Sequence, residues 1–363
     1  MLEGQHAHES DEWPLKRLLS EVVGTGVKSA EDMDRAQATA AFERIVAGEP
    51  APTTLGAFLL ANRWKRNTPE ELAGFLDVML ERVETVAPDC DPVDCGANYD
   101  GKAETAILGV AAGAVSAAAD VPVVVHGGDG VPSQKAPAYK DLLEELGVET
   151  ELSAAASAEM VDATGFGFYF QPAFNPAVED LYERRDEMGV RTFINTIETL
   201  ANPAEASVHL GSFYHLTFAK KLIDTIRASD RSVFDRAILF QGMEGYDDIR
   251  PGYTKVAEWA DDDVLDDVTN DYEIETAELG MDMEYEDLEV DSVAADSAAI
   301  TEAVLTGDRT DHFYDAVVLN GAFRIYAGGG AATFEDGLDR AREAIADGRA
   351  AEILSQLRAF RPQ

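Results

Sequence analysis

The chain has 363 residues, 46% of them hydrophobic, with 29 Lys and Arg against 69 Asp and Glu for a formal charge of −40. That apolar share excludes an acidic disordered chain and supplies a core for one large or two smaller domains. The acid excess weighs against a protein-wide nucleic-acid footprint, because phosphate contacts need clustered Lys or Arg.

Cys90 and Cys95 are the only cysteines, too few for a disulfide framework or an unaided four-ligand zinc site. Apolar runs such as Val121–Val125 are too short to cross a bilayer. Met1 to Glu12 has neither a basic nor an apolar leader region, so a cytoplasmic, reduced setting is expected. The acids are spread along the chain rather than gathered in a tail, which points to a salt-adapted cytoplasm. At molar salt, repulsion is screened over about 3 Å.

The first 85 or so residues read as helices only. Trp13, Leu15, Leu18, Leu19 and Val22 recur at helical spacing. Ser29 and Asp32 resemble a capping box for a second helix closed at Gly48, and a third fits Leu55 to Arg66. Thr68-Pro69-Glu70-Glu71 provides an N-cap, a Pro at the first helical position and a Glu at the third. That fourth helix is expected to run to about Val83.

After Pro88 the pattern changes. Val93–Cys95 and Val121–Val125 are short β-branched runs around an Ala/Gly-rich segment, Thr105–Ala119, long enough for a helix. Strand, helix, strand is the unit of a parallel sheet with a right-handed crossover. The alternation continues: helix Lys140–Leu146, strand Phe166–Phe170, helix Ala177–Met188, strand Ser207–Tyr214, helix Phe218–Ala228 and strand Ala237–Gln241. Asp261 to Asp291 reads as edge strands and loops. Helices around Ala294–Leu305, Tyr314–Ala327 and Phe334–Phe360 close the chain, the last with a break at Gly348. The expected fold is a small all-helical N-terminal domain, residues 1–86 joined by helices from about 174–200, plus a large α/β domain, 87–363, with a mostly parallel central sheet.

Ligands of open parallel sheets bind beyond the carboxyl ends of the strands. Three loops fall there: Gly96-Ala97-Asn98-Tyr99-Asp100-Gly101-Lys102, His126-Gly127-Gly128-Asp129-Gly130, and Gly242-Met243-Glu244-Gly245-Tyr246-Asp247-Asp248. Gly-rich loops can cradle anions through backbone N–H groups, yet plain turns need Gly as well. Asp247 and Asp248 can share a magnesium ion with water and phosphate oxygens, though adjacent acids are common in so acidic a chain.

Several segments taken in order resemble the anthranilate phosphoribosyltransferase family, of the type-III phosphoribosyltransferase and nucleoside-phosphorylase fold. "PTTLGAFLLANRWKRNTPEELAGFLDVML" (52–80) looks like its N-terminal helices and "DGKAETAILGVAAGAVSAAADVPVVVHG" (100–127) like its first βαβ unit. "GFGFYFQPAFNPAV" (165–178), "RRDEMGVRTFINTIETLANPA" (184–204), "GMEGYDDI" (242–249) and "HFYDAVVLNGAFRIYAGG" (312–329) resemble later signatures. The resemblance implies transfer of a phosphoribosyl group from phosphoribosyl pyrophosphate to an aromatic amine, with Mg2+, by a homodimer. It implies donor binding at Gly96, Asp100, Gly101 and Lys102, acceptor binding at His126, Gly127 and Arg185, and metal binding at Asp247 and Asp248.

The departures from the family pattern fall on the phosphate-gripping positions. Asn98 and Tyr99 replace two glycines, and Ala106-Ile107-Leu108-Gly109 replaces Asn-x-Ser-Thr. Val125 stands for a Lys, Gly128 for an Asn, and Asp129-Gly130 for Arg and Ser. Glu198-Thr199 replaces Gly-Pro. His126 also reads as a hydrogen-bonded structural residue, and Arg185 as a partner of Glu198 or another local acid. The competing function is a non-catalytic paralogue that binds nucleic acid or nucleotide. It requires Lys135, Lys140, Arg184, Arg185 and Arg191 to gather into one basic patch.

Overall fold

The computed structural model describes residues 14–24, 29–97, 99–130, 135–213, 215–261 and 270–362. The chain divides into two compact units. One comprises Met1–Val83, Asn175–Ala201 and Lys221–Ser232, and the other Glu84–Phe174, Asn202–Lys220 and Val233–Gln363.

The first unit is helical, with helices Leu15–Val23, Arg35–Val46, Pro52–Lys65 and Pro69–Leu80. The expected fourth-helix start is there: Thr68 accepts from Glu71 N, and the Glu71 side chain accepts from Thr68 N. Glu71 is fully buried because it also takes Lys65 Nζ at 2.5 Å and Met33 N at 2.9 Å. The second helix begins later than its Ser29–Asp32 signal, at Asp34, whose own capping box uses Gln37. Trp13 lies outside the described residues. Phe42, Phe75 and Phe193 knit the unit together, with Phe75 and Phe193 stacked 4.0 Å between centroids.

The second unit is built on a seven-stranded sheet: β1 Val93–Gly96, β2 Val123–Gly127, β3 Phe166–Phe170, β4 Val208–Phe213, β5 Arg236–Gln241, β6 Tyr253–Ala260 and β7 Asn270–Glu275. The order is β3-β2-β1-β4-β5-β6-β7. The first five strands are parallel, and β6 and β7 run antiparallel at the edge. β1 and β2 are buried at every residue, so Val123–Val125 is apolar throughout, and the charge of Asp94 in β1 has to find partners inside the fold. The strand order reverses between β1 and β4, so the crevice of this sheet type lies beyond Gly96 and Phe213.

Four local differences from the sequence expectation have clear causes. β2 extends through His126 and Gly127, because both pair with Tyr169 and Phe170 of β3. An additional helix, Ala154–Thr164, starts at a Ser153 cap and ends at Gly165, in a segment whose Ala and Ser gave little periodicity. The stretch 177–188 is two short helices, Pro176–Glu179 and Tyr182–Met188, rather than one. β6 pairs with β5 through Val256–Ala260, although its sequence gave no clear strand signal. The final helix does break at Gly348, in left-handed conformation. Helix Gly109–Ala118 packs closely, since a Cβ on Gly113 would stand 2.5 Å from the Phe166 ring.

Candidate active site

Three loops meet at the carboxyl edge of the sheet, and side chains stitch them together. Glu244, after β5, has φ +51°, a left-handed conformation uncommon for a non-glycine residue. Its carboxylate accepts from Ala103 N at 2.7 Å, Thr105 N at 2.9 Å and the Thr105 hydroxyl at 2.8 Å. Burial alone would raise its carboxyl, and those backbone donors more than offset it, so it lies below the ordinary value.

The same loop carries Asp247 and Asp248, both fully buried. Tyr139 donates its hydroxyl to both Asp247 oxygens, at 2.6 and 2.7 Å, and Arg324 Nη2 lies 2.7 Å from Oδ2. Burial pushes the Asp247 carboxyl up to about 6, opposed by the Arg324 charge. Asp248 Oδ2 takes the Lys102 ammonium at 2.8 Å and Leu108 N at 3.3 Å. Lys102 also donates to Ala106 O at 2.6 Å and is itself fully buried. Asn320 fixes this loop by accepting from Ile249 N at 2.8 Å.

Every backbone N–H from Lys102 to Leu108 is committed to a protein acceptor: Pro137 O, Glu244, Leu288 O, Ser297 Oγ and Asp248 in turn. Gly101, at φ +76°, has the backbone of Ala136 and Pro137 where a Cβ would stand. At Gly109 a Cβ would fall 1.6 Å from the Tyr139 hydroxyl.

A second buried network lies between β1, β2 and β4. Asp94 Oδ2 is 2.9 Å from His209 Nδ1, and its Oδ1 is 3.2 Å from His126 Nε2. His126 Nδ1 hydrogen-bonds the Tyr99 hydroxyl. Burial alone would raise the Asp94 carboxyl, but the two imidazoles more than offset it and hold it below its ordinary value. Beside it, Gln171 is buried next to Gly128, and its Nε2 has no hydrogen-bond acceptor.

The sequence-predicted residues therefore divide. Gly96, Asp100, Gly101 and Lys102 lie at the end of β1 and just after it, and His126 and Gly127 end β2. Three of them already have protein partners. The Lys102 ammonium is given to Asp248 and the Ala106 carbonyl. Tyr139 and Arg324 take both oxygens of Asp247. Arg185, in the helical unit, makes a bidentate pair with Glu198 through Nη1 and Nη2 at 2.8 Å each, the partner the sequence offered as its alternative. His126 hydrogen-bonds Tyr99 through Nδ1, has Asp94 Oδ1 3.2 Å from Nε2, and lies within β2.

Sequence reasoning missed Tyr139, Asn320 and Arg324. A usable signal existed for two of them: Asn320 and Arg324 sit four apart within the apolar run "AVVLNGAFRIYA". A polar pair at that spacing on an otherwise buried helix needs partners inside the fold. Cys90 and Cys95 are both free thiols, and burial pushes Cys95 up to about 12. Among the described residues no helix is long and apolar enough to cross a membrane.

Two family models match the chain. One, described as the α/β domain of a glycosyl transferase family, covers residues 95–351; the other, the helical bundle domain of that family, covers residues 18–83. Anthranilate phosphoribosyltransferase of Natronomonas pharaonis is 32% identical over 93% of this chain and 98% of its own. That of Haloarcula marismortui is 33% identical over 89% and 93%. Among solved structures, anthranilate phosphoribosyltransferase from Thermus thermophilus superposes with TM-score 0.77 at 27% identity, covering 92% of this chain and 98% of that one. The enzyme from Saccharomyces cerevisiae, solved in complex with PRPP and Mg, shares the fold with TM-score 0.78 at 18% identity, over 96% and 98%.

Proposed function

Because the chain belongs to the glycosyl transferase family that includes the anthranilate phosphoribosyltransferases, we propose that it moves a phosphoribosyl group from phosphoribosyl pyrophosphate to an aromatic amine of the anthranilate type, a step of tryptophan biosynthesis. The observation that carries this reading is the match of both domains in order, over a parallel sheet whose reversal point gathers the loops after β1, β2 and β5.

In this transfer the bond from sugar C1 to diphosphate oxygen breaks, a C1–N bond forms and the amine gives up a proton. The donor is placed over the loop after β1, with Gly96, Asp100 and Gly101 beneath it. The Gln171 amide, a buried donor without an acceptor, and the backbone at Gly127 face the loop after β2. The amine proton is assigned to Tyr99 and His126, with the Asp94 carboxylate behind to stabilise an imidazolium.

Magnesium belongs to this reaction as the counter-ion of the diphosphate, screening the leaving group's charge. The donor set at Asp247 and Asp248 does not suit a resident ion. Of its four carboxylate oxygens only Asp248 Oδ1 lacks a hydrogen-bond partner, and it is sealed from solvent. Among the described residues no group of three or more His, Cys, Asp or Glu could hold a metal ion. The ion accordingly arrives with the donor's phosphates, the usual way for magnesium.

The nucleic-acid reading is not favoured, because three of the five cations it needs serve local acids. Lys140 is bridged by Asp129, Glu144 and Glu151, Arg184 by Glu187, and Arg185 by Glu198. Calorimetry of phosphoribosyl pyrophosphate with magnesium at molar KCl, with anthranilate fluorescence followed in parallel, tests the proposal. Saturable heat and falling fluorescence are expected, and no heat with no turnover removes the transferase reading.

The assembly we infer is a cytoplasmic homodimer formed through the helical unit. Leu60 and Trp64, four apart on helix Pro52–Lys65, are 49% and 79% exposed, an apolar stripe out of place on so charged a surface. Light scattering is expected to count two protomers in the wild type and one in Trp64→Glu. A monomeric wild type would end this assignment.

A further inference from the structure

The Lys102 ammonium occupies a position made entirely of hard oxygen ligands. It lies 2.8 Å from Asp248 Oδ2 and 2.6 Å from the Ala106 carbonyl, with no solvent exposure. Arg324 does the same for the adjacent carboxylate, at 2.7 Å from Asp247 Oδ2 and likewise fully buried. Two fixed positive charges thus face two carboxylates, and the pair is neutral as built. We propose that Lys102 and Arg324 are resident cations standing where a divalent ion would otherwise neutralise Asp247 and Asp248, so that the free protein binds no metal at this pair and removal of the Lys102 charge uncovers a latent cation site.

A carboxylate oxygen and a backbone carbonyl are donors that hard divalent ions accept. A buried carboxylate requires a compensating charge, and lysine and metal are alternatives for that role. The two cannot share the place, because an ion at Asp248 Oδ2 would overlap the ammonium. The carboxylates then have a mechanical task. Through Lys102 and Leu108 N, Asp248 fastens the loop after β1 to the loop after β5. Through Tyr139 and Arg324, Asp247 fastens that second loop to two helices of the same unit.

This inference deepens the proposed transfer reaction by stating that magnesium comes only with the donor. Its test uses neither donor nor acceptor, so it fails or succeeds independently of turnover. Mn2+ is titrated into the free full-length protein at molar KCl, where screening suppresses diffuse binding to the acidic surface, and free Mn2+ is read by electron paramagnetic resonance. The wild type is expected to show no stoichiometric site, and Asp248→Asn to match it.

Lys102→Met is expected to acquire one site, tightening Mn2+ binding by roughly tenfold or more, the scale on which neighbouring groups move metal affinity. Adding Asp248→Asn to that variant should abolish the gain. One Mn2+ bound by the wild type and lost in Asp248→Asn would overturn the proposal, as would a folded Lys102→Met that gains nothing. Should Lys102→Met not fold, the wild-type and Asp248→Asn comparison decides alone.

Discussion

Replacing Arg324 with Met is expected to destabilise the protein by about 3–5 kcal/mol, the cost of leaving a buried charge without its partner. The chain length of Met roughly fills the guanidinium's path, so the loss is mainly electrostatic. Asp247 keeps the Tyr139 hydroxyl but loses the positive charge that does most to lower its carboxyl. Urea unfolding at constant KCl measures the change.

The pH dependence has a definite sign. In the wild type the Asp247 carboxyl is raised from 3.8 to about 6, so the native state holds its proton more tightly than the unfolded chain. The stability linked to that proton is present below the unfolded value and is lost as pH rises through the folded one. Without Arg324 the carboxyl rises further, so the deficit of Arg324→Met should be largest above neutrality. It should shrink as pH falls toward 5 and Asp247 takes up a proton. Arg324→Met combined with Asp247→Asn should recover part of the loss at pH 7, the signature of two residues that interact. A deficit independent of pH would show that packing, not the ion pair, is what Arg324 supplies.

Gly109→Ala is expected to be the other large effect, although it adds a single methyl group. That methyl would lie 1.6 Å from the Tyr139 hydroxyl oxygen, 2.6 Å from Cζ and 2.9 Å from Cε1. The tyrosine must therefore move, and it is held on one side by the Tyr246 ring at 5.0 Å between centroids. Overpacking typically costs about 1–3 kcal/mol, and losing a hydrogen bond to a charged group adds roughly 1.5–3. A loss of order 3 kcal/mol or more is expected in a thermal or urea melt.

The diagnostic comparison is with Tyr139→Ala. Once the ring is gone, Gly109→Ala should cost little more, so the double variant should be about as stable as Tyr139→Ala alone. Additive losses would mean that the methyl clashes with something other than the tyrosine. In the family pattern this position carries a hydroxyl-bearing residue, and here glycine and Tyr139 fill that space together.

The chain order of segments, its helix starts and its buried strands were legible in the sequence because they are local. Thr68-Pro69-Glu70-Glu71 closes its own capping box, and Val121–Val125 is apolar throughout because both faces of a central strand are covered. The two-domain plan, the parallel sheet and the family followed from that order. What sequence could not supply was the partner of each charged residue. Lys102 and Asp248 are 146 positions apart, and Arg324 and Asp247 are 77 apart.

Nothing in local propensity distinguishes a lysine that meets a phosphate from one that meets a buried aspartate. The carboxylates read as metal ligands because two adjacent acids at a strand end carry no mark of the cations waiting on other elements. The fold decided the matter by burying all four groups completely. In a low-dielectric interior each charge must be neutralised by whatever the tertiary structure brings within hydrogen-bond reach.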